Sequence, residues 1–444
     1  MSNLIVSRFG GHAAASAEEV IKAAQIIKAN PDRRYIVVSA PGATPDSVGI
    51  TDMLYFCHSS FHNGENYIDT LMKIDERYRE IVDGLKIDFS LDAEIASLKD
   101  ALEQRMNLDY IGSRGEYIMA KILAKYLEWE FVDASQLIFF TGTGSPDKDK
   151  TFRTANERLQ GFERAVIPSF YGSLPDGRIK TFMRGDCDTA GAMVACAVKA
   201  DLFEKWSDDA KIYSADPEVI RDAELIRHVT YAEALEMNYI GINIINDYDI
   251  FMLNEAGIPM MIASTDTPED EGMLISTRLP ENARRKVTAC IAGHNSFSVI
   301  HVNKYGLNKT SDFAEKLFGV FRRNNIACQH YLSGIHKMAI VLKSPIFDLR
   351  RDKILTEMKN AVNPDSLDVE RGLSLIAIVG EGMSTVKGVF SRIFDALARV
   401  GIKVKMIEQG ADDLNIIVGV SDSDYEPAIR TLYRSICMND EEWD

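Results

Sequence analysis

Short apolar runs alternate with amphipathic segments along roughly the first 285 residues. The aromatic and β-branched run Tyr35-Ile36-Val37-Val38-Ser39 predicts a strand, and the segment before it has apolar positions at helical spacing. That predicted helix begins at a capping box, Ser16 with Glu19, and ends ahead of Asn30-Pro31. The alternation predicts an α/β domain with helices on both faces of its sheet, a three-layer αβα arrangement.

Two further stretches of this domain have a helical pattern. Residues 52–108 are mostly helical in spacing and rich in acidic positions, which predicts a group of helices that forms one wall of a cleft. Thr230 and Glu233 form a second capping box, which opens a predicted helix that runs to Tyr239.

The pattern changes after residue 285, where a repeat with an offset of 76 residues begins. Phe297-Ser298-Val299-Ile300 aligns with Leu373-Ser374-Leu375-Ile376, and each copy reads strand, loop, helix, strand, strand. We place the copies at about 295–345 and 371–440. Such small units seldom bury enough apolar surface alone, so we expect them to pack on each other or on a second chain. A chance alignment is the alternative, but the matched positions also share element type.

Length and composition support this division. The 444 residues exceed the roughly 250–300 at which a single hydrophobic core stops growing. We therefore assign residues 1–285 to one domain and 286–444 to a second region. With 46% apolar and 26% charged residues the composition is that of a globular protein. A formal charge of −16 without any Lys/Arg cluster argues against nucleic acid and anionic membranes as partners.

The chain has few signals of secretion, membrane insertion or metal binding. Its first residues lack the basic and apolar regions of a secretory signal, and no apolar run approaches the roughly 18 residues of a membrane span. The six cysteines include no C-x-x-C pair, and the eight histidines show no ligand spacing. We expect a cytoplasmic protein without disulfides and without a metal site.

Two loops of the first domain carry candidate chemistry. Arg8-Phe9-Gly10-Gly11 follows a predicted strand, and its glycines let the backbone approach a phosphate with free N–H groups. Met183 to Asp188 precedes a predicted helix at Thr189 to Lys199. Arg184 can clamp a carboxylate, while Asp188 needs a partner such as a substrate ammonium or the helix N–H groups. The alternatives are structural: a tight turn at the glycines, and a plain N-cap at Asp188 or Thr189.

Five segments follow one another in the order and spacing of a known family. They are Arg8-Phe9-Gly10-Gly11, Ser113-Arg114-Gly115-Glu116, Met183 to Asp188, Trp206 to Pro217 and Ile240 to Asp247. In these segments the chain resembles aspartate kinase, which makes aspartyl phosphate from aspartate and ATP, and the resemblance covers nearly the whole chain. It implies an amino-acid-kinase domain followed by two ACT domains of the βαββαβ, ferredoxin-like type. It also implies Mg²⁺ carried by ATP, and the first step toward lysine, threonine and methionine.

The resemblance implies an intact site for the amino-acid substrate. Arg184 would bind the α-carboxylate, Glu116 the α-ammonium, and Ser39 and Thr51 the rest of the substrate. The implied catalytic group is Arg8, Gly10, Gly11 and Asp188. These partners suit aspartate, which presents one cationic and two anionic groups, and phosphoryl transfer depends mainly on positioning and charge neutralisation.

The nucleotide side of the same pattern is altered. The implied ATP contacts are Ser207, Asp208, Lys211, Tyr213 and Asn243. Arg8 stands where the family has its first-loop lysine, and Asn243 stands where it has the lysine of F-G-A-K. Glu218 replaces a basic residue, and Asp186 replaces the second glycine of G-R-G-G.

These changes remove two cations and add two carboxylates. A unit charge about 4 Å from another is worth roughly 4 kcal/mol at an effective dielectric of 20, so the substitutions predict weak ATP binding. Two residues are candidates for compensation. Lys211 is either a replacement cation or a solvated surface lysine, and His12 is either a phosphate donor or a surface residue.

The C-terminal repeats resemble the paired ACT domains of aspartate kinase, which bind an amino-acid effector and often dimerise. The resemblance places the effector contacts at Gly306, Leu307, Gly382, Met383 and Gln409. It does not identify lysine as the effector, because Ala411-Asp412-Asp413 departs from the family's Ser-Ser-Glu type of element. We expect a homodimer that forms through these domains, and the alternative is that the repeats only dimerise the protein.

Three hypotheses follow from the sequence. We favour an active aspartate kinase with an altered phosphate cradle. The alternatives are a catalytically impaired paralogue that acts as an amino-acid-binding regulatory protein, and a kinase for another amino acid or another phosphate donor. ATP binding separates the first hypothesis from the second, and a panel of acceptor amino acids separates the first from the third.

Overall fold

The computed structural model describes residues 3–208, 210–242, 244–280, 287–309, 311–410 and 413–437. The chain divides into two compact units. The first comprises residues 1–212, 225–235 and 243–283, and the second comprises 213–224, 236–242 and 284–444. Within the described ranges, no helix has the length and apolar character needed to span a membrane.

The first unit contains ten strands among its described residues. In chain order they are β1 (Ile5–Phe9), β2 (Arg33–Val38), β3 (Glu130–Phe131), β4 (Ala165–Pro168), β5 (Tyr171–Ser173), β6 (Ile179–Thr181), β7 (Leu202–Ser207), β8 (His228–Thr230), β9 (Met260–Ser264) and β10 (Met273–Ser276). Eight of them form one sheet in the order β3-β4-β2-β1-β7-β9-β10-β8. Neighbours in this sheet are parallel except for β9 with β10, while β5 and β6 form a separate antiparallel pair.

Helices connect these strands. In chain order they are α1 (Ala17–Ala29), α2 (Ile50–Asn63), α3 (Ile68–Leu85), α4 (Asp92–Glu103), α5 (Leu108–Leu127), α6 (Lys148–Leu159), α7 (Cys187–Val198), α8 (Tyr231–Tyr239) and α9 (Asp247–Ala256). Short 3₁₀ turns occur at His12–Ala14 and Ala134–Gln136. Both predicted capping boxes are formed: Ser16 Oγ accepts from the Glu19 N–H at 3.3 Å, and the Thr230 N–H donates to Glu233 at 2.8 Å.

Helices cover both faces of the large sheet. Phe9 and Trp206 point to one face, where they share a core with residues of α1 and α5. On the other face α7 lies so close that a Cβ at Gly191 would be 2.8 Å from the Phe203 ring. The helix α7 also packs against α6 and α9. The predicted three-layer αβα arrangement is confirmed, and the acidic stretch after residue 50 folds as the helices α2, α3 and α4.

A buried carboxylate ties three parts of the first unit together. Glu204 on β7 is 1% exposed and accepts from Ser7 Oγ on β1 at 2.7 Å. It also accepts from Arg33 Nε on β2 at 2.7 Å and from Trp206 Nε1 at 2.9 Å. The Arg33 guanidinium lies 5.2 Å from the centre of the Trp206 ring. Because each donor is buried, removal of Glu204 leaves several polar groups without a partner.

We therefore expect Glu204→Ala to destabilise the first unit by about 3–5 kcal/mol, the cost of breaking a buried ion pair. For a unit of this size the apparent melting temperature should fall by roughly 6–20 °C. Thermal unfolding monitored by circular dichroism measures the shift. Glu157→Ala, at an exposed position of α6, is the control and should change stability by less than about 0.5 kcal/mol. Equal melting temperatures for the two variants would contradict the role given to Glu204.

The second unit is built on a six-stranded antiparallel sheet. Its strands are β11 (Cys290–Asn303), β12 (His330–Ser333), β13 (Lys337–Lys343), β14 (Ser366–Val379), β15 (Met406–Gln409) and β16 (Asn415–Ser421). Its helices are α10 (Phe313–Arg323), α11 (Ser344–Asp348), α12 (Arg351–Val362), α13 (Val389–Arg399) and α14 (Tyr425–Leu432). Its described residues also form three 3₁₀ turns and one π-helical turn: Leu307–Lys309, Glu381–Ser384, Asp422–Asp424 and Tyr433–Cys437.

Two ferredoxin-like modules share the long strands of this sheet, whose order is β12-β13-β11-β14-β16-β15. The first module uses β12, β13, the second half of β11 and the first half of β14. The second module uses β16, β15, the second half of β14 and the first half of β11. One edge strand of the second module is thus Cys290–His294, which precedes the whole first module in the sequence. The predicted βαββαβ modules are present, but the second one is not continuous in the chain.

Candidate active site

Four neighbouring parallel strands of the first unit end at one edge of the sheet. These strands, β2, β1, β7 and β9, end at Val38, Phe9, Ser207 and Ser264. In open α/β sheets, ligands bind outside the carboxyl ends of the strands. The loops that leave this edge begin with the sequence-predicted residues Gly10, Ser39 and Asp208. The edge is therefore the candidate active site.

The glycine loop after β1 packs directly on the loop after β2. The Gly42 N–H donates to the Gly11 carbonyl at 2.8 Å, and a Cβ on Gly42 would lie 2.7 Å from the Gly11 carbonyl carbon. Gly10 leaves room for the Arg8 guanidinium, which a Cβ there would approach to 3.0 Å. The Gly10 N–H donates to the Trp206 carbonyl at 3.1 Å. It is therefore not one of the free donors that the sequence predicts at this loop.

Asp188 lies at the centre of a buried charge cluster. The helix α7 begins at Cys187, earlier than predicted, and its N-cap is Asp186, so the alternative of an N-cap at Asp188 or Thr189 is wrong. The Asp188 carboxylate is 2.9 Å from Arg8 Nε and 3.0 Å from Lys205 Nζ. Its partners among the described residues are thus two cations from β1 and β7, which the sequence did not suggest.

The two cations decide the charge of Asp188. Burial alone would raise the pKa of this carboxyl, but the Arg8 guanidinium and the Lys205 ammonium lower the pKa below its usual value. Asp188 is therefore ionised at neutral pH although only 8% of the residue is exposed. Lys205 Nζ also donates to the Ile244 carbonyl at 2.8 Å, which connects the cluster to the loop before α9.

Glu116, the predicted ammonium ligand, is buried in α5. Thr51 Oγ1 donates to its Oε1 at 3.4 Å, whereas its Oε2 is buried and has no hydrogen-bond partner among the described residues. Burial raises the pKa of Glu116 to about 8, although hydrogen bonds from the Ala40 backbone and Thr51 act in the opposite direction. A buried carboxylate with an unpaired oxygen is suited to a cationic ligand group.

The remaining predicted substrate residues lie beside Glu116 and the Asp188 cluster. Ser39 Oγ accepts from Arg8 Nη2 at 3.2 Å and lies 3.2 Å from Ser169 Oγ, so it connects the Asp188 cluster to the loop that contacts Glu116. Arg184 is exposed, and its guanidinium forms an ion pair with the Asp52 carboxylate. The structure therefore brings Ser39, Thr51, Glu116, Arg184 and Asp188 to one edge of the sheet, with Arg184 already holding a carboxylate.

The predicted nucleotide residues divide into three groups. Ser207 ends β7 and Asp208 follows it. The Ser207 carbonyl accepts from the Thr265 N–H at 3.0 Å, and the Asp208 carbonyl accepts from Ser264 Oγ at 3.2 Å. Lys211 is exposed and lines a hollow with Arg227 and Asp270, whose pKa is lowered mainly by the Arg227 hydrogen bond and slightly by Lys211. Tyr213 belongs to the second unit, and Asn243 lies outside the described residues.

The two introduced carboxylates are not equivalent. Asp186 is partly buried, and its carboxylate accepts from Asn246 Nδ2 at 2.8 Å within the first unit. Glu218 is exposed and belongs to the second unit, where its N–H donates to the Asp216 carboxylate at 2.9 Å. The amide of Asn246 therefore stabilises the Asp186 carboxylate and fixes its position in the loop.

His12 is surrounded by carboxylates. Its Nε2 is 3.7 Å from Glu19 and 3.9 Å from Asp266, and its Nδ1 is 3.9 Å from Asp208. The ligand atoms of His12, Glu19 and Asp266 all lie within 4.8 Å of one another, which suits a cation. Lys22 Nζ already lies 2.7 Å from Glu19 Oε1. The spacing of the histidines gave no sign of this group, because three separate segments assemble it.

The predicted effector residues do not meet within one chain. Gly306 and Leu307 follow β11, whereas Gly382 and Met383 follow β14. These strands are antiparallel over their whole length, so the two loops lie at opposite ends of the pair. At a rise of about 3.4 Å per residue the ends are roughly 40 Å apart. Met383 is buried in the core of the second module, and Gln409 on β15 donates to Asp413.

Comparison with known proteins defines the class of the chain. The model of the amino acid kinase family matches residues 3–264, and a model of the ACT domain matches residues 376–436. The sheet with helices on both faces and the ferredoxin-like modules agree with these two matches. The chain is an amino acid kinase that carries ACT modules.

Relatives that match nearly the whole chain identify a narrower family within this class. Aspartokinase 3 of Bacillus subtilis is 27% identical over 97% of this chain and 98% of its own length. Lysine-sensitive aspartokinase 3 of Escherichia coli is 25% identical over 98% of this chain and 100% of its own length. The crystal structure of Clostridium acetobutylicum aspartate kinase is 35% identical and matches with a TM-score of 0.91, over 98% of this chain and 100% of that one. The chain belongs to the aspartate kinases, as its sequence motifs predict.

Sequence reasoning missed two residues that shape the site. Lys205 lies one residue before the segment that begins at Trp206, so no motif includes it. Arg77 lies on α3, and the sequence gives no sign that it is buried, because an arginine in a helix is usually exposed. Arg77 is 8% exposed, and its guanidinium donates to the carbonyls of Val48 at 2.7 Å, Ala15 at 3.4 Å and Gly42. It therefore holds the loop between β2 and α2, which lies between Ser39 and Thr51.

We expect Arg77→Met to loosen this loop, because three carbonyls lose a charged donor. Amide hydrogen exchange of residues 42–50 should become at least tenfold faster, with little change in β1 and β7. Mass spectrometry of peptic peptides gives the measurement. Arg79→Met on the same helix is the matched control, since Arg79 is half exposed and pairs with Asp75 and Asp92. The same slow exchange in both variants would show that Arg77 does not hold the loop.

Proposed function

We propose that this protein transfers the γ-phosphoryl group of ATP to the β-carboxylate of L-aspartate. The observation that carries the proposal is the buried, unpaired Glu116 oxygen beside the cationic Arg8 and Lys205 cluster. Aspartate has one ammonium and two carboxylates, so a site with one available carboxylate and several cations matches its charges. In-line transfer then requires mainly positioning and charge neutralisation.

Several of the predicted residues have a role in this proposal. Glu116 binds the substrate ammonium, and Arg184 exchanges Asp52 for the substrate α-carboxylate. Arg8, held by Ser39 and Asp188, faces the phosphate that moves. Asp208 and Lys211 contact the nucleotide, and Mg²⁺ carried by ATP neutralises its phosphates. The exposed carboxylates of Asp208 and Asp266 are oxygen ligands of the kind that Mg²⁺ takes.

The second unit is proposed as an effector-binding region. The Escherichia coli relative is lysine-sensitive, and the two predicted effector loops are too far apart to form one site within a chain. We therefore propose that two chains associate through their ACT modules, so that a loop of one copy completes an amino-acid site of the other. The assignment of residues 1–285 to catalysis and 286–444 to regulation is part of the same proposal.

The direct test is to trap acyl phosphate with hydroxylamine from purified protein, Mg-ATP and L-aspartate. We expect aspartyl hydroxamate from the wild-type protein and at least a 100-fold loss in Arg184→Ala, because a bidentate carboxylate contact is removed. Arg178→Ala is the control, since this exposed arginine pairs with Asp176. A panel of other amino acids, assayed in parallel, tests the acceptor.

A second candidate is a non-catalytic protein that binds an amino acid. The lost lysine at 243 and the carboxylates of Asp186 and Glu218 favour it. No hydroxamate up to millimolar ATP, together with calorimetric binding of aspartate but not of ATP, would replace the kinase proposal with this one. Hydroxamate formed from a different amino acid would keep the kinase and change its acceptor.

The affinity for aspartate should depend on pH through Glu116. With a pKa of about 8 this carboxyl is mostly protonated at pH 6, and the substrate ammonium binds its ionised form. Binding therefore releases a proton, and the affinity should rise by up to about tenfold per pH unit between pH 6 and 8. Titration calorimetry in two buffers of different ionisation enthalpy measures the number of protons released on binding.

Glu116→Gln is the control for this dependence. It should bind aspartate roughly 10- to 100-fold more weakly at pH 8, because it loses a charge-assisted contact, and its affinity should no longer change with pH. A wild-type affinity that is flat from pH 6 to 8 would contradict the role of Glu116 as the ammonium ligand.

A further inference from the structure

Two cations stand side by side under the start of α7. In the parallel pairing of β1 with β7, Arg8 is the register partner of Lys205, so both side chains point to the face that α7 covers. Both contact Asp188, and the side chain of Lys205 is only 17% exposed. The neighbouring Glu204 points to the opposite face, where Arg33 neutralises it.

The buried part of this cluster has more positive than negative charge. Arg8 and Lys205 face one ionised carboxylate, Asp188. Burial raises the pKa of Asp249 to about 8 and the pKa of the Cys187 thiol to about 12, so both are mainly neutral at pH 7. Asp186 is partly exposed to solvent and is bound by Asn246. The N-terminus of α7 adds its own partial positive charge.

Lys205 also has more N–H donors than described acceptors. An ammonium carries three N–H donors, and the described contacts of Lys205 Nζ are Asp188 at 3.0 Å and the Ile244 carbonyl at 2.8 Å. The ammonium lies at the edge where the loops after β1 and β7 begin. A third acceptor there would come from a ligand, and the surplus of positive charge selects an anion.

We propose that Lys205 is a catalytic residue, which contacts the transferring phosphate of ATP together with Arg8. The proposal rests on the proposed function, and it deepens it by naming a cation that replaces the expected lysine at position 243. Its bond to the carbonyl of Ile244, the residue after that position, places the ammonium next to the loop that has lost its lysine. The exposed Lys211 is not required for this role.

The test compares nucleotides that differ only in their phosphates. Lys205→Met should weaken the binding of ATP by roughly 10- to 100-fold, because a charge-assisted contact is lost, while AMP binding changes by less than about threefold. A purely structural role as the counter-ion of Asp188 would weaken both nucleotides alike or neither. Lys99→Met, at an exposed position of α4, is the control and should change neither affinity.

Turnover gives a second measurement. Lys205→Met should lower kcat by roughly 10²- to 10³-fold, the usual effect of removing one group that stabilises transition-state charge, with little change in the KM for aspartate. Lys205→Arg should retain part of the activity. The double variant Asn243→Lys/Lys205→Met should have a kcat at least tenfold higher than that of Lys205→Met alone. A Lys205→Met protein with wild-type kcat and an unchanged ratio of ATP to AMP affinity would overturn the proposal.

Failure of the proposed function is distinguishable from failure of this inference. If the wild-type protein forms no aspartyl hydroxamate, the ratio of ATP to AMP affinity in Lys205→Met still reports whether Lys205 binds phosphate. If hydroxamate forms at the wild-type rate in Lys205→Met, the kinase stands and the role of Lys205 is wrong.

Discussion

A buried carboxylate held between two cations joins the central sheet of the first unit to the helix that follows the Arg184 loop. Asp188 stays ionised only because Arg8 and Lys205 offset the cost of its burial. In return it fixes the neighbouring strands β1 and β7 against the first turn of α7. The Gly10 turn follows Arg8 in the chain, the Ser39 hydroxyl accepts from the Arg8 guanidinium, and the Arg184 loop ends at the helix that contains Asp188. The geometry of the site therefore depends on one charge balance.

The same balance of charges bears on the substitutions at the predicted ATP contacts. Counted along the sequence, the site loses two cations and gains two carboxylates. In three dimensions Asn246 binds Asp186, and Lys205 adds a cation that no motif contains. In the proposed function the site needs enough positive charge near the phosphates, and that charge can come from a neighbouring strand as well as from the original loop. A change of one loop residue is thus a poor measure of whether such a site works.

The parts that sequence could predict are those specified locally. The bounds of α1 follow from a capping box and a proline, and motifs of a few residues name Glu116 and Arg184, which the structure brings to one edge of the sheet. The position of Lys205 depends on which strands are neighbours, and β1 and β7 are separated by most of the first unit along the chain. The start of α7 was misplaced because Asp186, Asp188 and Thr189 are all favourable capping residues. Their tertiary partners decide among them.

The strands shared by the two C-terminal modules also affect how the chain can be divided and made. No continuous piece of sequence contains the whole second module without also containing the first, because the edge strand Cys290–His294 precedes the first module in the chain. The two modules are therefore unsuited to exchange as separate cassettes between proteins. During synthesis, the first half of β11 leaves the ribosome long before the second half of β14. That strand edge stays unpaired while the entire first module is translated, which makes the order of folding a property of the topology.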